Sequence, residues 1–405
     1  MDTDHEHDIT GPLKGIRVIE MGQLLAGPFC GQLMGDYGAE VIKIEPPHVG
    51  DPIREWGQEK PHGQSLWWPI IARNKKSITL NLREKKGQEI ARKLIAKADI
   101  VIENFRPGTM EKWGLGYDEL KKINPGLIMV RVSGFGQDGP YSSRPGYGSI
   151  GEAMGGMRYV VGDPSTPPSR MGISIGDQLA ATFACLGALA ALHYRDQTGE
   201  GQMIDSAIYE AVLAMMESLI SEYVEGGYIR ERSGAILPNV APSNVYPTKD
   251  GIFVLIAANQ DTVFKRLAAA MGQPELAEDD RYKSHTSRGK NQKELDDLIA
   301  DWSHTLNADE LMSILDEYAI PQGKIYRAPD MLSDAHFKAR EAIIKVAHPQ
   351  FKNLKMQNVF PKFSKTPGKV RWAGPTLGQH NEEIYKGLLQ FNDIEVSDLT
   401  KQDII

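Results

Sequence analysis

Two cysteines in 405 residues cannot supply a disulfide framework. Cys30 and Cys185 both fall in apolar helical contexts and form no pair at metal-ligand spacing, so a reducing cytoplasm is the expected setting. An excess of positive charge is also missing. A net charge of −7 and a pI near 5.9 give no support to nucleic-acid binding or to adhesion at an anionic membrane. No long hydrophobic run stands out, so no membrane span is expected. Residues 1–10 are polar and acidic without the apolar centre of a signal peptide, which predicts a disordered N-terminus with His5 and His7 as surface residues. Walker A and HExxH patterns are absent, and no metal site is expected.

What is present is a chain with 41% hydrophobic content, long enough for two or three domains. Strand and helix patterns alternate. β-branched apolar runs at 15–21, 41–45, 77–82, 99–103, 127–132 and 203–205 predict strands, and helical spacing at 27–37, 86–97 and 117–123 predicts helices between them. Such alternation argues for an α/β fold, a parallel sheet with helices on both faces. A Gly-, Pro- and Asn-rich stretch at 225–247 reads as a linker, and 252–325 reads as a smaller α+β unit. The expected layout is therefore a disordered 1–10, a large domain beginning with 11–224, a linker and small domain over 225–325, and a segment 326–405 returning to the large domain.

Two motif templates match weakly. A GxGxxG occurs at Gly134–Gly139, but Pro140 and Pro145 stand where its helix should begin, so it reads as a loop. Gly172-Ile173-Ser174-Ile175-Gly176 fits GxSxG, but the pattern starts the helix three residues after Ser174, which again favours a loop over a nucleophile elbow. The more informative residue is Asp177. It precedes the apolar stretch 178–194, which reads as a buried helix free of other carboxylates and of Lys or Arg. A carboxylate there serves either as a cap for the first-turn N–H groups or as a nucleophile, since the same surroundings keep it ionised.

Several ordered motifs carry a resemblance. They are Leu25-Ala26-Gly27-Pro28, 38–45 (GAEVIKIE), Gly50-Asp51, 73–77 (RNKKS), 103–108 (ENFRPG), 134–140 (GFGQDGP) and 198–202 (TGEGQ). In that order and spacing they make the chain resemble the class III coenzyme A-transferases, the family of formyl-CoA transferase, carnitine CoA-transferase and α-methylacyl-CoA racemase. The resemblance covers about residues 11–405. It implies a large Rossmann-like CoA-binding domain, a smaller domain, and a homodimer of two interlocked subunits. It also implies that coenzyme A and acyl-CoA are substrates and not permanently bound cofactors, with small carboxylic acids as partners.

By the same resemblance, Asp177 is the catalytic nucleophile, forming a mixed anhydride and then an aspartyl-CoA thioester. Family CoA contacts fall on Leu25 and Ala26, on Leu80, Asn81, Leu82 and Arg83, on Asn104, Phe105 and Arg106, on Lys112, and on 144–147, including Arg144 and Tyr147; Arg73 and Lys75 lie in the adjoining basic segment. Racemases of the family carry His where Tyr147 stands. An unperturbed Tyr titrates at about 10 and is a poor acid–base catalyst for α-proton exchange, so acyl transfer is favoured. An acyl-CoA epimerase and a non-catalytic CoA-binding homologue remain the alternatives. The family's mobile glycine-rich loop has no counterpart, since 235–243 reads AILPNVAPS, and Pro46 stands where some members place an arginine. The whole pattern is nearest to members using succinyl-CoA as donor and a dicarboxylate as acceptor. Arg54, Arg170, Arg230 and Arg232 are candidates, by residue type, to hold a distal carboxylate.

Overall fold

The computed structural model describes residues 10–405; His5 and His7 lie outside them. The chain divides into two compact units, one made of residues up to Met157, Met171–Leu219 and Lys338–Ile405, the other of Arg158–Arg170 and Ile220–Phe337. Residues 158–170, which sequence reading puts in the large domain, thus belong to the second unit, and that unit runs on to Phe337.

In the first unit six strands, β1 (Arg17–Glu20), β2 (Glu40–Glu45), β3 (Lys75–Thr79), β4 (Ile100–Glu103), β5 (Ile128–Ser133) and β6 (Met203–Ala207), form one sheet in the order β3-β2-β1-β4-β5-β6. Every pairing is parallel. That order makes a doubly wound sheet whose direction of winding reverses between β1 and β4, where a crevice opens beyond the carboxyl ends of the strands. Both faces are covered, so alternate residues feed two different cores. Ile19, Ile42, Ile78 and Val101 pack with Ile90 and Leu94 of helix Lys85–Ile95. Val18, Val41, Ile100 and Ile102 pack with Met34 of helix Ala26–Asp36 and with the alanines of helix Ile175–Thr198. β3 begins two residues before the predicted 77, because Lys75 and Lys76 pair in register with Val41 and Ile42.

Helix Ile175–Thr198 corrects one expectation: it starts before Asp177, with Ser174 as its N-cap residue. Its 24 residues are long and apolar enough to cross a membrane by length and composition only, a test that the core helix of a folded domain also passes. One stripe of it is committed to the protein: Ala180, Ala184, Ala188 and Ala191 are buried, and small side chains there admit helix Ala26–Asp36 at close range. Phe183, Leu186 and Tyr194 on the same helix stay exposed.

The second unit has its own core. Strands β7 (Ser243–Pro247), β8 (Phe253–Ala257) and β9 (Gln322–Lys324) pair antiparallel. Helices Asp261–Ala270, Gln292–Ser303 and Ala308–Glu317 bury Phe264, Leu267, Leu295, Ile299 and Leu311 with them. The chain then adds a hairpin, β10 (Ile343–His348) with β11 (Lys352–Gln357), within the first unit.

Candidate active site

A cavity of about 580 Å³ opens at the crevice of the first unit. Its walls are the segments that leave the sheet: Gln23, Leu24, Leu25 and Ala26 after β1, Asn104, Phe105, Arg106 and Pro107 after β4, Val132, Ser133 and Gly134 at the end of β5, and Ile208 after β6. The loop Ser142–Ser149 and the helix start at Ser174 and Asp177 complete it, with Trp56 at the edge. Eight of the residues singled out from sequence therefore meet: Leu25, Ala26, Asn104, Phe105, Arg106, Arg144, Tyr147 and Asp177.

The β1 and β4 exits are tied to each other by one side chain. Asn104 Nδ2 donates to Gln23 O at 2.8 Å, and Gln23 N–H donates to Asn104 Oδ1 at 2.8 Å. Leu24 adopts a left-handed backbone, φ 64°, which a branched side chain rarely does and which costs on the order of 1–3 kcal/mol. Its N–H is held by Asp51 Oδ1 at 3.0 Å, and the same oxygen caps Ile53 N at 3.0 Å. Beneath this turn lies a fully buried ionic cluster. Lys43 Nζ is 2.9 Å from Asp51 and 3.1 Å from Glu20, while Lys75 Nζ is 2.7 Å from Glu20. Both ammonium groups also donate to backbone carbonyls of the exit segment, Lys43 to Gly22 O and Lys75 to Pro28 O, each at 2.6 Å. The paired carboxylates outweigh burial for Lys43 and raise its pKa; for Lys75 burial wins and lowers it. Lys43 in turn holds the Asp51 carboxyl below its ordinary range, against the opposing effect of burial.

Two sequence expectations are corrected here. Arg73 and Lys75 do not line the cavity. Arg73 is buried with both carboxylate oxygens of Asp36 within 3.1 Å of its Nε, and Lys75 belongs to the ionic cluster. Basic side chains in a buried parallel strand must find internal partners, because an unpaired charge there is too costly. Leu80 is likewise buried in the core, and Asn81 N–H donates to Ile404 O. Asn81, Leu82 and exposed Arg83 lie beyond the end of β3, on the same carboxyl edge of the sheet but outside the cavity, and exposed Lys112, in the short helix after β4, is also outside it.

Of the four arginines proposed for a distal carboxylate, Arg54 is spent on Glu45 at 2.7 Å and on Trp68, 3.6 Å beneath its guanidinium. Arg230 pairs with Glu222 at 3.0 Å, Arg232 lies over the Tyr159 ring, and both, with Arg170, belong to the second unit. The cations that line the cavity are Arg106 and Arg144, the latter stacked on Tyr141 at 3.8 Å.

Asp177 is half-buried in the first turn of its helix, facing the cavity. It is seated against Gly148, the first residue of helix Gly148–Met154: a Cβ at position 148 would lie 2.3 Å from Oδ2 and 3.0 Å from Oδ1. The first turn of a long helix carries a favourable dipole field for a carboxylate, and neighbouring backbone N–H groups can stabilise an oxyanion formed beside it. Ser174 lines the same wall as the N-cap residue, and the backbone before it is bent, not a strand, so no nucleophile elbow is formed. Sequence reading missed Gln23, Ser133, Gly148 and Ile208. All but Gly148 sit just past or at a strand end, and the crevice rule for doubly wound sheets could have found them.

The cavity at the switch point of this doubly wound sheet is lined by one carboxylate, Asp177, and two arginines, Arg106 and Arg144, a lining that suits an anionic ligand. The family model described as CoA-transferase family III matches residues 13–381. The chain belongs to that family. It is 59% identical, over 97% of this chain and 98% of the other, to succinyl-CoA–D-citramalate CoA-transferase of Chloroflexus aurantiacus. It is 41% identical to the succinyl-CoA–L-malate CoA-transferase beta subunit of the same organism, over 98% of each. Among solved structures, a CAIB/BAIF family protein from Brucella suis superposes with a TM-score of 0.84 at 33% identity, over 94% of this chain and 100% of that one.

Proposed function

We propose that the protein moves coenzyme A from succinyl-CoA to a small dicarboxylate, with citramalate the first acceptor to test, through Asp177. The observation that carries this is the seat of the Asp177 carboxylate, backed by Gly148 and open to a cavity lined by Asn104, Phe105 and Arg106. The carboxylate attacks the succinyl thioester carbon, giving a mixed anhydride and CoA thiolate. The thiolate attacks the aspartyl carbonyl, releasing succinate and leaving an aspartyl-CoA thioester. The acceptor carboxylate then attacks that thioester, and the expelled thiolate returns to the acceptor's acyl carbon, regenerating Asp177. The activated bond is conserved throughout, so no external energy source is needed.

Arg106 and Arg144 supply the positive charge for phosphate and carboxylate groups, and the edge beyond β3, with Arg83, gives the adenine end a surface to follow. The working form is a homodimer of interlocked subunits, supported by the exposed Phe183, Leu186 and Tyr194 on a helix whose other stripe is core. Both cysteines are free and buried, which suits a cytoplasmic setting. Tyr147 at the cavity, in place of a histidine, disfavours the epimerase reading.

The test is mass analysis of products from succinyl-CoA and a pool of mono- and dicarboxylic acids. A new acyl-CoA with stoichiometric succinate names the acceptor. Asp177→Ala is expected to abolish transfer while CoA affinity stays within about threefold, and substantial residual transfer sinks the nucleophile assignment.

A further inference from the structure

The helix that carries Asp177 has first-turn N–H groups to satisfy. Its N-cap residue, Ser174, makes no side-chain cap hydrogen bond. One of those N–H groups, that of Gly176, is instead taken from another helix: Glu152 Oε1 accepts it at 3.3 Å. Glu152 is 2% exposed and sits one turn along helix Gly148–Met154, the same helix whose first residue backs the Asp177 carboxylate. Its seat depends on glycine at 176. A Cβ there would come within 3.0 Å of Glu152 Cγ, 3.1 Å of Gly148 O and 3.2 Å of Ile208 Cγ2.

We infer that Glu152 is a positioning residue for the transfer reaction, capping Gly176 N–H from the neighbouring helix and so locking the Asp177 helix start against Gly148. The inference rests on the reading of Asp177 as nucleophile. Asp in a first turn ordinarily competes for those N–H groups itself. With Glu152 on Gly176 N–H, that group of the turn is held from a neighbouring helix. The contact with Gly176 N–H requires an acceptor oxygen at Oε1. A glutamine can therefore make it, and an alanine cannot.

The experiment compares full-length wild type, Glu152→Gln and Glu152→Ala by steady-state kinetics and by intact-mass detection of the aspartyl-CoA adduct in a single turnover with succinyl-CoA. Glu152→Gln is expected to keep kcat within about threefold of wild type. Glu152→Ala is expected to lower kcat by about tenfold to a hundredfold, with KM for succinyl-CoA nearly unchanged and adduct formation slowed in proportion. Equal losses in the two variants, an unchanged alanine variant, or a loss confined to KM would overturn the inference. If the alanine variant does not fold, the glutamine variant decides: retained turnover supports the role and a loss beyond about tenfold refutes it. A wild type that turns over with no aspartyl adduct removes the nucleophile reading, and with it the role given to Glu152.

Discussion

Gly148→Ala tests the seat of the Asp177 carboxylate, the proposed nucleophile, without replacing it. The new Cβ would be built 2.3 Å from Asp177 Oδ2 and 2.7 Å from its Cγ, whereas ordinary contact begins near 3.4 Å. The carboxyl group must therefore move by about 1 Å, and a displacement of that size at a reacting centre costs about a hundredfold in rate. That is equivalent to about 2.7 kcal/mol of transition-state stabilisation. Stability should change little, because alanine favours the helix by up to about 1 kcal/mol relative to glycine and the displaced group has a cavity to move into. The assay is kcat by chromatographic measurement of acyl-CoA products, with a thermal melt and CoA titration on the same samples. The expected pattern is a fall in kcat of about two orders of magnitude, an unchanged melt and CoA affinity within about threefold. A kcat within about threefold of wild type, in a protein that melts normally, would refute the close seating of Asp177 on Gly148.

Other consequences are equally direct. Lys43→Met should destabilise the protein by about 3–5 kcal/mol in urea denaturation, because Glu20 and Asp51 lose a buried partner; a change under about 1 kcal/mol would show the cluster tolerates its loss. Arg106→Ala should raise KM for succinyl-CoA by about tenfold or more and weaken its salt dependence while leaving kcat nearly alone, and an unaffected KM would remove Arg106 from the ligand. Burial pushes the Glu103 carboxyl from its ordinary 4.5 up to about 7, against the pull of Arg131, so the folded protein holds that proton to higher pH than the unfolded chain does. Stability from this group is then full below pH 4.5 and declines by about 3 kcal/mol as pH rises to 7, and Glu103→Gln should flatten that slope; parallel curves for the two proteins would refute it.

Much of the fold was legible because a buried parallel strand advertises itself. Runs such as Val41-Ile42-Lys43-Ile44 are apolar on both faces, and the turns between them are short. The strand order was not legible, since it depends on pairings between distant segments. The charged residues inside those strands carried a signal that reading by type overlooks. A lysine between Ile42 and Ile44, like the lysine opening β3, has no route to water and must have an internal carboxylate, so Lys43 and Lys75 are structural, and buried Arg73 is likewise held by Asp36, though Arg73 and Lys75 read as a basic segment beside the ligand. Asp177 lines the cavity, but its helix was placed two residues late. The sequence cue, an apolar run, begins after the first turn; Ile175 and Gly176 precede it, and Gly176 N–H meets an acceptor, Glu152, that is distant in sequence. Gly148 left no trace in composition or periodicity, as its importance lies in an atom it lacks.

The cavity draws its walls from segments between Gln23 and Ile208, released by four different strands of one sheet. No short stretch of unfolded chain can reproduce such a surface. A ligand filling it binds the folded state alone, so its binding free energy adds to folding free energy, by about 2.7 kcal/mol at a concentration a hundredfold above Kd. Substrate supply would then regulate the lifetime of the protein as well as its flux: a cell short of acyl-CoA would expose this chain to unfolding and proteolysis more often than a well-fed one.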